Sequence, residues 1–312
     1  MAATNTSNII SINVVGSHGM QTASATVEAV TTSLDIGDEI TVDIGYSDDH
    51  DVVFTGLVKS IQYSESDMRY TINAVDTLIR AMDYFIVSSS PETPFTRSNI
   101  TVEDLIEDVL NLAGITDYDG DSTSLTVAIN NPAEINLTSS YDYCHFLSSL
   151  VAWHLYADIS GQVHFTDRKP YVMGGDSSYK TLTLATILSS SYSEDANNLR
   201  NRVVMYGAEG ITAEASASSP YLPAGFYKSA VVAASIIDSQ SYAQTCVDYN
   251  LILYNRLTKM VSMTVEGDCS LVPRTVITLD TGVDKLDDDW YLYAVSHTIN
   301  SAGYTSDIEL RN

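Results

Sequence analysis

Residues 46–56, YSDDHDVVFTG, set Asp48, Asp49 and Asp51 around His50 immediately before a strand-like run. Carboxylates and an imidazole are the groups that ligate divalent ions or relay protons. A usable site needs those side chains to converge, however, and consecutive residues entering a strand point alternately to opposite faces. Aspartate also favours turns, because its carboxylate bonds the nearby backbone. The stretch is therefore read as a strand-to-strand turn whose tip is exposed and holds no metal. A second candidate, TDYDGDSTS, spaces Asp117, Asp119 and Asp121 like the start of a calcium loop. An EF-hand needs glycine at the sixth position and an acidic ligand at the twelfth. Here Gly120 is fourth and Ala128 is twelfth, so a plain loop is preferred.

Nucleophilic chemistry fares no better. Ser17 precedes His18, and Cys144 precedes His145, but adjacent residues on a strand or helix diverge, and neither pair lies in a nucleophile-elbow motif. His154, His164 and His297 stand singly in apolar segments and read as hydrogen-bonded structural residues. Cys144, Cys246 and Cys269 form no C-x-x-C pair and read as reduced, mostly buried thiols. There is no phosphate-binding loop and no dinucleotide fingerprint. The expectation is no catalytic set, no metal and no cofactor.

The elements around these residues are mostly strands. SNIISINVV, ATVEAVTTSL, DEITVDIGY, DVVFTGLVKSIQYS and MRYTINAVDT alternate with period two; Gly56 interrupts the fourth, as at a bulge or bend. Residues 88–99, SSSPETPFTRSN, look like a linker. TVEDLIEDVLNLAGI then spaces Val102, Leu105, Ile106, Val109, Leu110 and Ala113 on one helical face, with Thr101 as N-cap and Gly114 as terminator. A second helix is expected over about 140–154, followed by two short strands joined at Ser160-Gly161. From about residue 180 strand patterns return, interrupted by a helix over about 239–259. The layout is mainly β with an α/β insert: β region at 1–87, α/β region at 88–175, β region with one helix at 176–312.

Composition bounds the function. The 312 residues can bury more than one core, and 45% hydrophobic with 18% charged residues is an ordinary globular balance. Forty acidic against fifteen basic residues give a net charge of -25. That argues against gripping nucleic acid or anionic lipid, though not against a wall that DNA passes, since a wall that neutralises no phosphates releases no counterions. No basic and apolar leader and no ~18-residue apolar run is found, so a soluble, unsecreted chain is expected.

Six stretches carry a family resemblance. DIGDEITVDIGY, VVFTGLVKSIQYS and YTINAVDTLIRAMDYF are similar to the opening of phage tail baseplate hub proteins, the late control D-like hubs of contractile-tailed phages. The matching positions are Gly37 and Asp38, then Phe54, Gly56 and Val58, then Asp76. YDYCHFLSSLVAWHLYADISGQVHF, with Gly161 in its turn, resembles the family's middle domain. NLRNRVVMYG, with Asn201 and Gly207, and WYLYAVSHTINSAGYTSDIELR, with His297, resemble its closing barrel. The chain departs from the family at Pro273-Arg274, where Pro-Gly is frequent, so a different turn is expected there.

The resemblance implies two tail-tube-like β-barrel domains flanking a small α/β domain. It implies a homotrimer whose six barrels join a sixfold tail tube to a threefold central spike, and that hub sits in the virion tail baseplate, assembled in the host cytoplasm. The implied partners are further copies of the chain, the tail tube protein and the spike protein, with tape measure and baseplate wedge proteins beside them. DNA would pass through unbound, and no membrane is involved. Two other readings stay open: a tail-associated carbohydrate-cleaving enzyme, which needs paired carboxylates, and a receptor-binding module using exposed members of the 20 tyrosines.

Overall fold

The computed structural model describes residues 8–87, 95–123, 125–128 and 131–312. The start of the chain and residues 88–94 of the linker lie outside the described residues.

Five strands form the first part: β1 (Ile9–Ser17), β2 (Ser24–Ala29), β3 (Glu39–Tyr46), β4 (Asp49–Ser64) and β5 (Arg69–Val75). Their alternation sends Ile12, Val14, Val42, Ile44, Phe54 and Ala74 into one small core. A short helix, α1 (Ile79–Asp83), follows. Next come brief strands, β6 (Phe85–Ile86), β7 (Phe95–Arg97), β8 (Ile100–Thr101), β9 (Tyr118–Gly120), β10 (Thr126–Val127), β11 (Ala133–Ile135) and β12 (Thr138–Ser139), most of them in two-stranded ladders. Among them lie α2 (Val102–Leu112) and α3 (Ser140–Leu150), and then the hairpin of β13 (His154–Ala157) and β14 (Val163–Thr166).

Local chemistry explains the helix ends. The Thr101 hydroxyl accepts the Asp104 N–H at 3.3 Å, and the Ser139 hydroxyl accepts the Asp142 N–H at 3.0 Å, so each satisfies an orphan donor of the first turn. α2 buries Val102, Leu105, Ile106, Val109 and Leu110 of the face its spacing predicts, while Ala113 stands at the C-cap and is only half-buried. α3 is shorter than expected. The expected range reaches His154, but Ala152 turns left-handed at φ 54°, and His154 opens β13 instead.

The last part holds β15 (Lys180–Thr183), β16 (Ile187–Asp195), β17 (Arg202–Tyr206), β18 (Thr212–Ser216), β19 (Ser229–Ala233), α4 (Gln240–Tyr254), β20 (Thr258–Glu266), β21 (Val276–Asp280), β22 (Asp289–Asn300) and β23 (Gly303–Arg311). Helix α4 also ends earlier than its apolar stripe suggests, because Lys259 already pairs with Glu194 in the β20–β16 ladder.

The protein is mostly β, and the strand pairing closes no barrel among the described residues. Instead the first and last parts share one 11-stranded sheet in the order β16-β20-β23-β22-β1-β2-β5-β4-β3, with β21 and β15 branching from β22. The seam is the antiparallel pair β1–β22, from Ile12 opposite Ile299 to Ser17 opposite Ala294. β17 does not join this sheet. It pairs β18 antiparallel and β19 parallel in a separate three-stranded sheet, and Val203, Met205 and Ala213 pack with Cys246 and Val247 of α4 into the core that α2 and α3 also build. A third core lies under the C-terminal strands around Trp290, Leu292, Ile308 and Leu310.

Candidate functional site

The YSDDHDVVFTG stretch is the β3–β4 hairpin, with Tyr46 opposite Asp49. Asp48, Asp49, His50 and Asp51 are exposed at its tip; the His50 ring pairs with Asp43 across the hairpin at 2.9 Å. In the other acidic loop Asp117 accepts the Gln162 side-chain N–H at 2.8 Å, while Asp119 lies 3.5 Å from His164. Among the described residues no group of three or more His, Cys, Asp or Glu side chains is placed to hold a metal ion, and no helix is long and apolar enough to cross a membrane. Cys144, Cys246 and Cys269 are buried free thiols; burial pushes Cys246 up to about 12.

Seven of the positions singled out in the sequence gather around β4. The Gly37 N–H donates to the Val58 carbonyl at 2.9 Å, and the Val58 N–H donates back to the Asp38 carbonyl at 2.8 Å. Phe54 is fully buried, and a Cβ on Gly56 would fall 2.3 Å from the Val75 carbonyl oxygen and 2.5 Å from the Phe54 ring. Asp76 ends β5 with its carboxylate accepting N–H bonds from Ala23 at 2.5 Å and Leu78 at 3.0 Å. Burial outweighs those bonds and raises Asp76 to about 7. Gly161, at φ 90° in the β13–β14 turn, reaches across to Thr77 and Thr55.

Of the other three positions, Asn201 and Gly207 flank β17, and His297 lies on β22. The Asn201 side chain ties down the approach to β19, donating to the Phe226 carbonyl and accepting the Lys228 N–H. Gly207 leaves β17, with the Ile237 carbonyl 2.4 Å from where a Cβ would stand. His297 is buried between Ser306 and the Leu271 carbonyl, and lost hydration pulls it down to about 4.

Two arrangements were not legible beforehand. The first is a polar row across the outer face of the large sheet. Ser60, Asn73, Thr26, Asn13 and Thr298 stand opposite one another on β4, β5, β2, β1 and β22. Asn73 donates to Ser60, Thr26 donates to Asn73, and Asn13 donates across the seam to Thr298 at 2.9 Å and Ser296 at 3.1 Å. Ser296 stands opposite Asp307, which accepts the Thr264 hydroxyl at 2.6 Å. The arginines nearby are paired with carboxylates: Arg69 with Glu28 at 2.9 Å and Arg311 with Glu309 at 2.7 Å. Alternation alone shows an outward face on each strand, but only the pairing shows that these faces form one surface.

The second arrangement joins all three parts of the chain. The rings of His18 (after β1) and His154 (β13) stack 3.8 Å apart, and Arg274 donates from Nε to His154 Nε2 at 3.1 Å and from Nη2 to the Ser17 carbonyl at 3.3 Å. Its guanidinium lies over Tyr156 at 3.9 Å, and Arg168 lies over Tyr291 at 4.5 Å. His18 Nδ1 and the Tyr291 hydroxyl share a 2.6 Å hydrogen bond. Lost hydration and the neighbouring cations pull His18 down to about 3, and His154 also falls well below its ordinary value. The turn at Pro273-Arg274 is left-handed, with Arg274 at φ 78°, so an arginine occupies a backbone conformation that glycine adopts freely.

This architecture is that of phage tail proteins. A tail protein of prophage MuSo2 from Shewanella oneidensis superimposes with a TM-score of 0.70 at 15% identity, covering 97% of this chain and 94% of that one. A tail protein from Neisseria meningitidis MC58 gives 0.69 at 12% identity, with 98% and 92% covered. An E. coli type VI secretion component, described as similar to the T4 bacteriophage tail proteins gp27 and gp5, gives 0.58 at 10% identity, with 97% and 73% covered. No family model and no curated protein matches the sequence.

Proposed function

We infer that the chain is a structural component of a phage tail baseplate or a related injection device. In that reading it is a homotrimeric hub between the sixfold tail tube and a threefold spike. Residues 1–87 and 176–312 contribute the two tube-like β units and residues 88–175 the α/β unit, with DNA passing along the ring. Gly37, Asp38, Phe54, Gly56, Val58, Asp76, Gly161, Asn201, Gly207 and His297 serve as structural positions, and the function needs no catalysis or cofactor.

The observation that carries this reading is the open 11-stranded sheet. Its end strands, β3 and β16, each have one strand partner only among the described residues, at opposite ends of the path. Unpaired strand edges seek partners, and a head-to-tail contact between different edges closes into a ring when the rotation allows. The hydroxyl and amide row from Ser60 to Thr298 then faces the lumen, where the absence of unpaired cations in that row lets DNA slide past without counterion release. The likeness of the fold to tail proteins supports the same reading.

Sedimentation and negative-stain imaging test it, with the protein alone and with the tube protein of the same tail. A three-fold ring is expected. A persistent monomer that forms no ring in either sample contradicts the reading.

A further inference from the structure

The joint around Arg274 borders a partly open cavity of about 320 Å³. Its walls are largely apolar: Val14 and Ala23 from the first hairpin, Val53 and Phe54 from β4, and Val272 and Val295 from the last part. The polar groups that line it are nearly all engaged. His297 bonds through both ring nitrogens, and the Thr275 hydroxyl donates to the Val272 carbonyl. Asp158 accepts from Ser160, Gln162 and His164.

Arg274 is the exception. A guanidinium has five N–H donors in a planar fork. Two are accounted for by His154 and the Ser17 carbonyl; among the described residues no carboxylate stands at ion-pair distance from the guanidinium, and Asp76 and Asp158 act on its charge only from farther away. The residue also holds φ 78°, a left-handed conformation that is strained for a non-glycine residue. A cation set in a largely apolar wall with no carboxylate bonded directly to it is itself unfavourable. The backbone of this turn suits glycine, yet it carries an arginine into the cavity.

We propose that this cavity binds a small monocarboxylate with a compact apolar body, its carboxylate forked on the free edge of the Arg274 guanidinium. A planar carboxylate matches the fork in two parallel hydrogen bonds. The apolar walls suit a short alkyl or aryl group, and the volume lies at the small end of ligand pockets. Asp158, which also lines the cavity and is held below its ordinary range by its hydrogen bonds, disfavours a dianion such as phosphate more strongly than a monoanion. The inference does not depend on the hub reading, since it concerns the interior of one protomer.

The test is calorimetric titration of the full chain with benzoate and hexanoate, using benzamide, hexanol and inorganic phosphate as controls. Saturable binding of a carboxylate at one site per chain is expected, without binding of the neutral analogues or competition by phosphate. Arg274→Gln and Arg274→Gly should each weaken it by about tenfold or more, the loss that follows removal of a charge-assisted pair. The glycine variant relaxes the left-handed turn and guards against simple unfolding. Should both variants unfold, NMR of the native protein decides: benzoate, and not benzamide, must shift the ring signals of His164 and His297. No saturable carboxylate binding, equal binding by Arg274→Gln, or competition by phosphate overturns the proposal.

Discussion

The imidazole rings of His18 and His154 stack face to face, 3.8 Å apart and 11° from parallel. Each belongs to a different part of the chain, and Arg274 donates to the second of them, so His154 Nε2 must remain unprotonated. Cations surround the pair: Arg274 faces both rings, while Arg168, Arg311 and Lys169 lie around His18. Tyr291 and Tyr293 complete the surroundings of His18.

The pH dependence of stability follows from that stack. His18, His154 and His297 all have folded values below the ordinary 6.5, so the unfolded chain takes up protons first as pH falls. Their contribution is complete above about pH 6.5 and is lost progressively on the way down to pH 3–4. Asp76, raised to about 7, acts with the opposite sign and offsets part of the loss. Between pH 6.5 and 5 each ring costs at most about 2 kcal/mol. Urea unfolding should show lower stability at pH 5 than at pH 7, and His18→Phe should flatten the slope. A flat profile in the native protein would show that the rings protonate freely.

At Gly56 the sheet tolerates no side chain. Gly56→Ala drives a Cβ against the Val75 carbonyl, so a loss of roughly 1–3 kcal/mol is expected from overpacking. Phe54→Ala, which empties a fully buried site, should cost about 3–5 kcal/mol. Thermal melts of the two variants, compared with a surface control such as Lys59→Ala, check both.

Across the β1–β22 seam, Asn13 is bonded to two hydroxyls at once. Asn13→Ala should therefore cost about 1–2 kcal/mol, against a smaller loss for Ser296→Ala, which leaves the Thr298 bond in place. Denaturant curves read both effects. Equal losses would mean that the seam does not depend on the amide.

These positions also show what the amino-acid order reveals. Val42 and Ile44 in β3, the Thr101 cap of α2 and the turn at Gly161 are local: period, capping chemistry and a positive φ act within a few residues. The seam pairs Ile12 with Ile299, and nothing local in either strand selects that partner over another apolar strand. The joint is hidden for the same reason. His18, His154 and Arg274 come from three distant segments, and each alone resembles an ordinary structural residue. Pro273-Arg274 reads as a departure from a Pro-Gly turn, yet its backbone is left-handed and only the side chain is new.

Edge pairing makes its own prediction. Leu188 is 59% exposed on β16, and Thr41 is exposed on β3. Lysine on an edge strand discourages pairing while leaving the protomer intact. Leu188→Lys and Thr41→Lys should give folded protein with an unchanged circular dichroism spectrum and a reduced tendency to assemble. Assembly equal to the native chain in both variants would exclude these edges from the contact.

The most direct measurement is the mass of the native assembly, by sedimentation equilibrium or light scattering, in the presence of its tube protein. The account predicts three copies in a ring closed by β3 of one protomer against β16 of the next. A stable monomer, or an assembly in which both edges stay open to solvent, contradicts it.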